Sequence, residues 1–316
     1  SVINNLMKIK DHGNSDIFIT GNKEIDKVLK VMPNEIIFLA GAPKSAKTKT
    51  LIYIMDSLLL RYKDKLNVKW NSMEDPKEKV VRNRISIHTG IPDEILQGIS
   101  GHLTTEHLNL INEVSHKVDN EGYLEYNDIP KTIEELCSDF RSFVKKDKMN
   151  IMIIDNFNIC TDNCHQVNTT DKEIHVASKI TSLNMHLKNN GYKACIIVVD
   201  HLKKEQLDKS NLESGRRPNT SHLKGSERKY ATLTQLLLIN RPGKYRDVLD
   251  QEINSPDIYI NGKPWKRIDL LAAKDSSGLI IIEKTEARNQ SDVGDDVIAR
   301  LYINISKMWF RNLYDI

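Results

Sequence analysis

The sequence predicts an α/β fold: a mostly parallel central sheet flanked by helices, with antiparallel strands added at one edge. Three observations predict it. Short apolar runs rich in β-branched residues recur along the 316 residues. The early runs alternate with amphipathic helical stretches, the pattern of a parallel sheet covered on both faces. The last runs follow one another closely, as antiparallel strands do.

Strands are expected at Glu35–Ala40, Asn67–Asn71, Asn150–Asp155, Ala194–Asp200, Leu233–Asn240, Gly278–Glu283 and Val297–Ile305. Helices are expected at Lys47–Tyr62, Lys77–His88, Thr105–Val118, Thr132–Lys146 and Lys172–Asn189. Two polar segments, Lys203–Thr220 and Arg241–Lys263, read as long loops: the first is dense in Lys, Arg, Asn and Ser, the second mixes charges with Pro and Gly. Residues 1–19 read as an N-terminal arm or linker, and 20–316 as one domain.

The formal net charge of +3 is too small to demand a nucleic-acid partner, so any basic surface must be local. The apolar stretch Leu51–Leu60 is interrupted by Asp56 and too short to span a bilayer, and the N-terminus has no apolar signal core. A cytoplasmic location, in a bacterium or a phage-infected host, and no membrane partner are expected. Cys160, Cys164 and His165 sit close together, but no second ligand pair follows at zinc spacing, so free thiols are expected.

The most informative stretch is Ile36–Thr50, a strand, a tight loop and a helix start. Gly41-Ala42-Pro43-Lys44-Ser45-Ala46-Lys47-Thr48 fits the phosphate-loop pattern G-x-x-x-x-G-K-[ST] except at Ala46, where the second glycine belongs. A triphosphate needs backbone N–H donors, a helix N-terminus and a flexible cation. Gly41 to Ala46 offer the first two and Lys47 the third, while Thr48 offers a hydroxyl to Mg²⁺. If Ala46 has positive φ, its Cβ costs about 1–2 kcal/mol. A strand–helix turn with a chance lysine is the plainer alternative.

Two carboxylates favour the nucleotide reading. Asp155 ends the apolar strand Ile151–Asp155, where an acid reaches the Mg²⁺ shell, although a strand-end Asp also caps turns. Glu74 follows Asn67–Asn71 and is placed to orient or deprotonate an attacking water, although helix first turns also favour glutamate.

At these residues the chain resembles the C-terminal motor domain of DnaB-type replicative helicases, within the RecA-like phosphate-loop ATPases. Ile19–Asp26 resembles the lead-in T-G-[FW]-x-x-L-D, and Ser72-Met73-Glu74 resembles S-L-E. Val80–Ile91 resembles the following helix, and Asp155-Asn156-Phe157-Asn158 stands at D-Y-L-Q. Asp200–Lys204 stands at S-Q-L-N-R, and Ser221–Ser226 at S-D-L-R-E-S-G. The resemblance runs from about Thr20 to Asn312. It implies a motor that hydrolyses ATP with Mg²⁺ between the subunits of a homo-oligomeric, hexameric ring and moves 5′ to 3′ on single-stranded DNA in replication. A loader or primase is an implied further partner.

By resemblance the catalytic residues are Lys47, Glu74, His201, Lys284 and Arg288, and Thr48 and Asp155 hold the metal. Single-stranded DNA would meet Arg216, Arg217, Lys224, Gly225, Glu227, Arg228 and Lys229. The departures are specific. Ala46 replaces a glycine, His201 a glutamine that senses the γ-phosphate, and Glu227 a glycine that contacts the strand. Lys284 and Arg288 stand two residues further apart than the family's K-x-R finger pair. The family's N-terminal helical collar has no counterpart here. These departures also admit an ATP- and DNA-binding module, or helicase accessory protein, that does not unwind.

Overall fold

The computed structural model describes residues 16–119, 124–166, 168–202, 233–241, 259–260, 263–264, 277–287, 297–304 and 306–312. The strands are β1 (Glu35–Gly41), β2 (Leu66–Ser72), β3 (Leu124–Asn127), β4 (Met149–Asp155), β5 (Lys193–His201), β6 (Gln235–Asn240), β7 (Tyr259–Ile260), β8 (Lys263–Pro264), β9 (Ser277–Ala287), β10 (Val297–Asn304) and β11 (Trp309–Asn312). Nine form one sheet in the order β11-β10-β9-β6-β1-β5-β4-β2-β3, and β7 and β8 pair as a hairpin. From β6 to β3 every pairing is parallel. β9, β10 and β11 join antiparallel. The expected fold class is therefore the observed one.

The central strands are buried along their length because the sheet is covered on both sides. Successive side chains of β1 point to opposite faces. Ile37 and Leu39 join a core with Leu51, Leu58, Val68, Trp70 and Ile280. Ile36, Phe38 and Ala40 join a second core with Phe140, Phe157, Val176 and Leu183. The helix Lys47–Tyr62 covers the first face, and Ile133–Phe143 with Thr169–Asn189 cover the second.

Local chemistry sets the boundaries. Thr132 and Glu135 form a capping box, so the helix begins at Ile133. Asn168 caps Thr169–Asn189, starting that helix three residues before the expected Lys172. β6 begins at Gln235 rather than Leu233, and the Thr234 hydroxyl bonds the backbone of Ile36 at 3.0 Å. The lead-in motif has a structural basis: Asp26 accepts from Thr20 N and Oγ1 at 2.7 Å and from Gly21 N at 2.9 Å. These bonds hold the chain entry against the helix Lys23–Val28. A buried pair, Arg84 Nε to Asp56 Oδ1 at 2.8 Å, ties the helix Lys77–Thr89 to Lys47–Tyr62. The connection after β2 is thereby anchored to the helix that follows β1.

Candidate nucleotide site

The C-terminal ends of five adjacent parallel strands, β6, β1, β5, β4 and β2, carry Arg241, the Gly41–Thr48 loop, His201, Asp155 and Glu74 in that order. Open α/β sheets bind ligands at this end. A cavity of about 350 Å³ lies there, lined by Ala46, Lys47, Thr48, Glu74, Asp155, His201 and Arg241 among others. Its wall holds five basic side chains, the others being Lys44, Lys49 and Lys79, against three carboxylates including Asp75, a balance suited to a polyanion.

The loop is wound tightly. Lys44 and Ala46 both have positive φ, 61° and 70°. Ala46 therefore adopts the left-handed conformation that a glycine would take without strain. It is also the N-cap of Lys47–Tyr62 and supplies no side-chain cap bond. No side chain of the N-cap thus competes with an anion for the first N–H groups of the helix. Gly41 is required by space: an added Cβ would stand 2.6 Å from Ser45 Oγ and 2.7 Å from Ile239 O. Gly41→Ala is expected to cost about 2 kcal/mol of stability through overpacking. Urea unfolding of the purified variant checks this.

Lys47 is 5% exposed. Its Nζ donates to Gly41 O and Ala42 O, both at 2.9 Å, and lies 3.1 Å from His201 Nδ1. The Thr48 hydroxyl donates to Asp155 Oδ2 at 2.9 Å. Asp155 is 1% exposed, and its Oδ1 is buried with no hydrogen-bond partner among the described residues. Burial pushes its carboxyl up to about 6; the Thr48 bond opposes this, and the nearby Glu74 and Asp75 charges add to it. An unsatisfied buried carboxylate oxygen beside a threonine hydroxyl suits a hard divalent cation, so these residues fit Mg²⁺.

Glu74 lies 3.7 Å from His201 Nε2 through its Oε2, an electrostatic contact longer than a hydrogen bond. The Asn156 amide donates to the same oxygen. The His201 ring is the largest influence holding the Glu74 carboxyl below its ordinary range; partial burial opposes it, and Asn156 supports it.

Lys47, Thr48, Glu74, Asp155 and His201 thus come together, as do the loop residues around them. Lys284 does not join them within one chain. It pairs opposite Leu237 in the antiparallel part of the sheet, and its charge acts on Glu35, at the opposite end of β1. Burial pushes the Glu35 carboxyl up to about 7, with the Gln235 bond and Lys284 pulling it back. Arg288, and Arg216, Arg217, Lys224, Gly225, Glu227, Arg228 and Lys229, lie outside the described residues. Sequence reasoning passes over Asn156 and Arg241 as site residues. Each directly follows a strand, β4 or β6, and that position is the available signal.

A mostly parallel sheet with a phosphate-loop turn after central β1, carboxylates at the ends of β4 and β2, and antiparallel strands at one edge is the architecture of the RecA-like class of α/β domains. The DnaB-like helicase C-terminal domain model matches residues 18–285, and the chain belongs to that family. Among solved structures it is similar to one described as an ATPase domain, with TM-score 0.73 and 14% identity over 99% of this chain and 98% of that one. It is also similar to a DnaB-like replicative helicase described with its interactions with primase, with TM-score 0.72 and 14% identity over 98% of this chain. The chain spans 65% of that second protein's length. No curated protein matches the sequence. Among the described residues, no helix is long and apolar enough to cross a membrane.

Proposed function

We propose that residues 20–316 form the ATP-hydrolysing motor unit of a replicative DNA helicase. The observation that carries this reading is the convergence of Lys47, Thr48, Glu74, Asp155 and His201 on one cation-rich cavity. The loop N–H groups and Lys47 bind the phosphates. Thr48 and Asp155 hold Mg²⁺, which when bound neutralises phosphate charge. Glu74, kept ionised by its neighbours, accepts a proton from the attacking water. His201, between Lys47 and Glu74, faces the γ-phosphate position.

Lys284 lies away from its own chain's cavity, which supports its service, with Arg288, to a neighbouring copy in a hexameric ring. Single-stranded DNA is met by residues from Arg216 to Lys229, with movement 5′ to 3′, in the cytoplasm of a bacterium or an infected host. A loader or primase completes the assembly. The test measures phosphate release with and without single-stranded DNA, beside forked-duplex unwinding. DNA-stimulated hydrolysis that Glu74→Gln abolishes is expected. Nucleotide binding without any turnover would return the non-unwinding module as the better reading.

A further inference from the structure

Asn156 follows Asp155 directly and is 4% exposed. Its Oδ1 accepts from Asn158 N at 3.0 Å and Ile159 N at 3.3 Å, capping the helix Phe157–Asp162. Those bonds fix which end of the amide is which, so Nδ2 is the end turned toward Glu74 and His201. There it donates to Glu74 Oε2 and lies 3.2 Å from His201 Nε2.

The His201 tautomer follows from the same network. The Lys47 ammonium has only protons to offer, so the Nδ1 atom 3.1 Å from it accepts, and Nε2 carries the ring proton. Nε2–H and Nδ2–H are then both donors, and neither bonds the other. Both face one acceptor, Oε2 of Glu74, but only the amide is close enough to hydrogen-bond it. The His201 contact is the longer of the two, leaving the amide as the close tether.

We propose that Asn156 is a positioning residue for Glu74: anchored by the helix cap at one end of its amide, it fixes Oε2 with the other and leaves Oε1 to take the proton of the attacking water. The proposal rests on the assignment of Glu74 as base. It explains how a glutamate whose side chain is 52% exposed is kept at a defined place, since nothing in its own burial would confine so long a side chain. It also gives a role to a side chain at a position where the family pattern has a tyrosine, whose ring offers no amide.

Asn156→Ser separates the two functions of the residue. Serine is a good N-cap, but its hydroxyl is too short to reach Glu74. The variant is expected to keep its affinity for a non-hydrolysable ATP analogue and to lose only the several-fold in its folding equilibrium that the contact with Glu74 supplies, while kcat falls roughly ten- to a hundred-fold. An Asn156→Ser variant with unaltered kcat, in an active parent, overturns the proposal alone. A parent without turnover overturns the functional reading itself. A double-mutant cycle of Asn156→Ser and Glu74→Ala in urea unfolding provides a readout without turnover. Non-additivity of several-fold in the folding equilibrium is expected, and strict additivity overturns the contact.

Discussion

Lys47→Ala is expected to lower ATP turnover by roughly a hundred- to a thousand-fold, the loss typical of removing a preorganised charged donor from a transition state. The fold should survive. The lysine's resting partners are Gly41 O and Ala42 O, both at 2.9 Å, and the lysine itself lines the open cavity, so its removal lets solvent take its place at those carbonyls. The cost therefore falls on chemistry more than on stability. The ammonium also sets the His201 tautomer, so the variant loses the ordering of that ring together with the charge. Phosphate release at saturating ATP, with the unfolding midpoint as control, gives the answer. Turnover equal to the parent's would remove Lys47 from the mechanism.

Asp155→Asn should move stability and activity in opposite directions. Burial raises the Asp155 carboxyl to about 6 in the folded protein, above its value in the unfolded chain. The folded state therefore holds that proton more tightly. The resulting stabilisation is full below the unfolded value and is lost as pH rises through about 6. At about pH 8 the resting protein carries a buried charge with an unsatisfied Oδ1. Asparagine removes the charge and keeps an oxygen for Thr48. A gain of about 2 kcal/mol is expected at about pH 8, and almost none near pH 4. ATP turnover should nevertheless collapse, and Mg²⁺ should raise the melting temperature of the parent but not of the variant. Equal pH-dependence of stability in the two proteins would show that Asp155 is not the strained carboxylate.

Long, strongly patterned elements are legible from the residues. The helix Lys47–Tyr62 has its expected bounds, and the buried runs form β1, β4 and β5 within a few residues of expectation. Short elements are not legible. β3, Leu-Glu-Tyr-Asn, is four residues long and too brief for periodicity to declare it. Phe157–Asp162 is a single capped turn and a half, set by Asn156 rather than by an apolar stripe. In the site, residues bearing a recognisable motif can be read directly. Arg241 cannot, because its place in the cavity depends on β6 lying beside β1, a pairing between residues about two hundred positions apart. The positive φ of Ala46 can be posed as a condition, but only the backbone answers it.

The order of the nine strands bears on how copies of the chain meet. Its outermost strands, β3 and β11, are four residues each. Among the described residues, each edge offers a neighbouring chain a strand of four residues, a short template for continuing the sheet from one copy to the next. In the proposed ring, such short edges would favour contacts through side chains of loops and helix faces over a shared sheet. Such contacts can slide and re-form, whereas an intersubunit sheet would lock one copy to another. Short margins of this kind also discourage edge-to-edge aggregation.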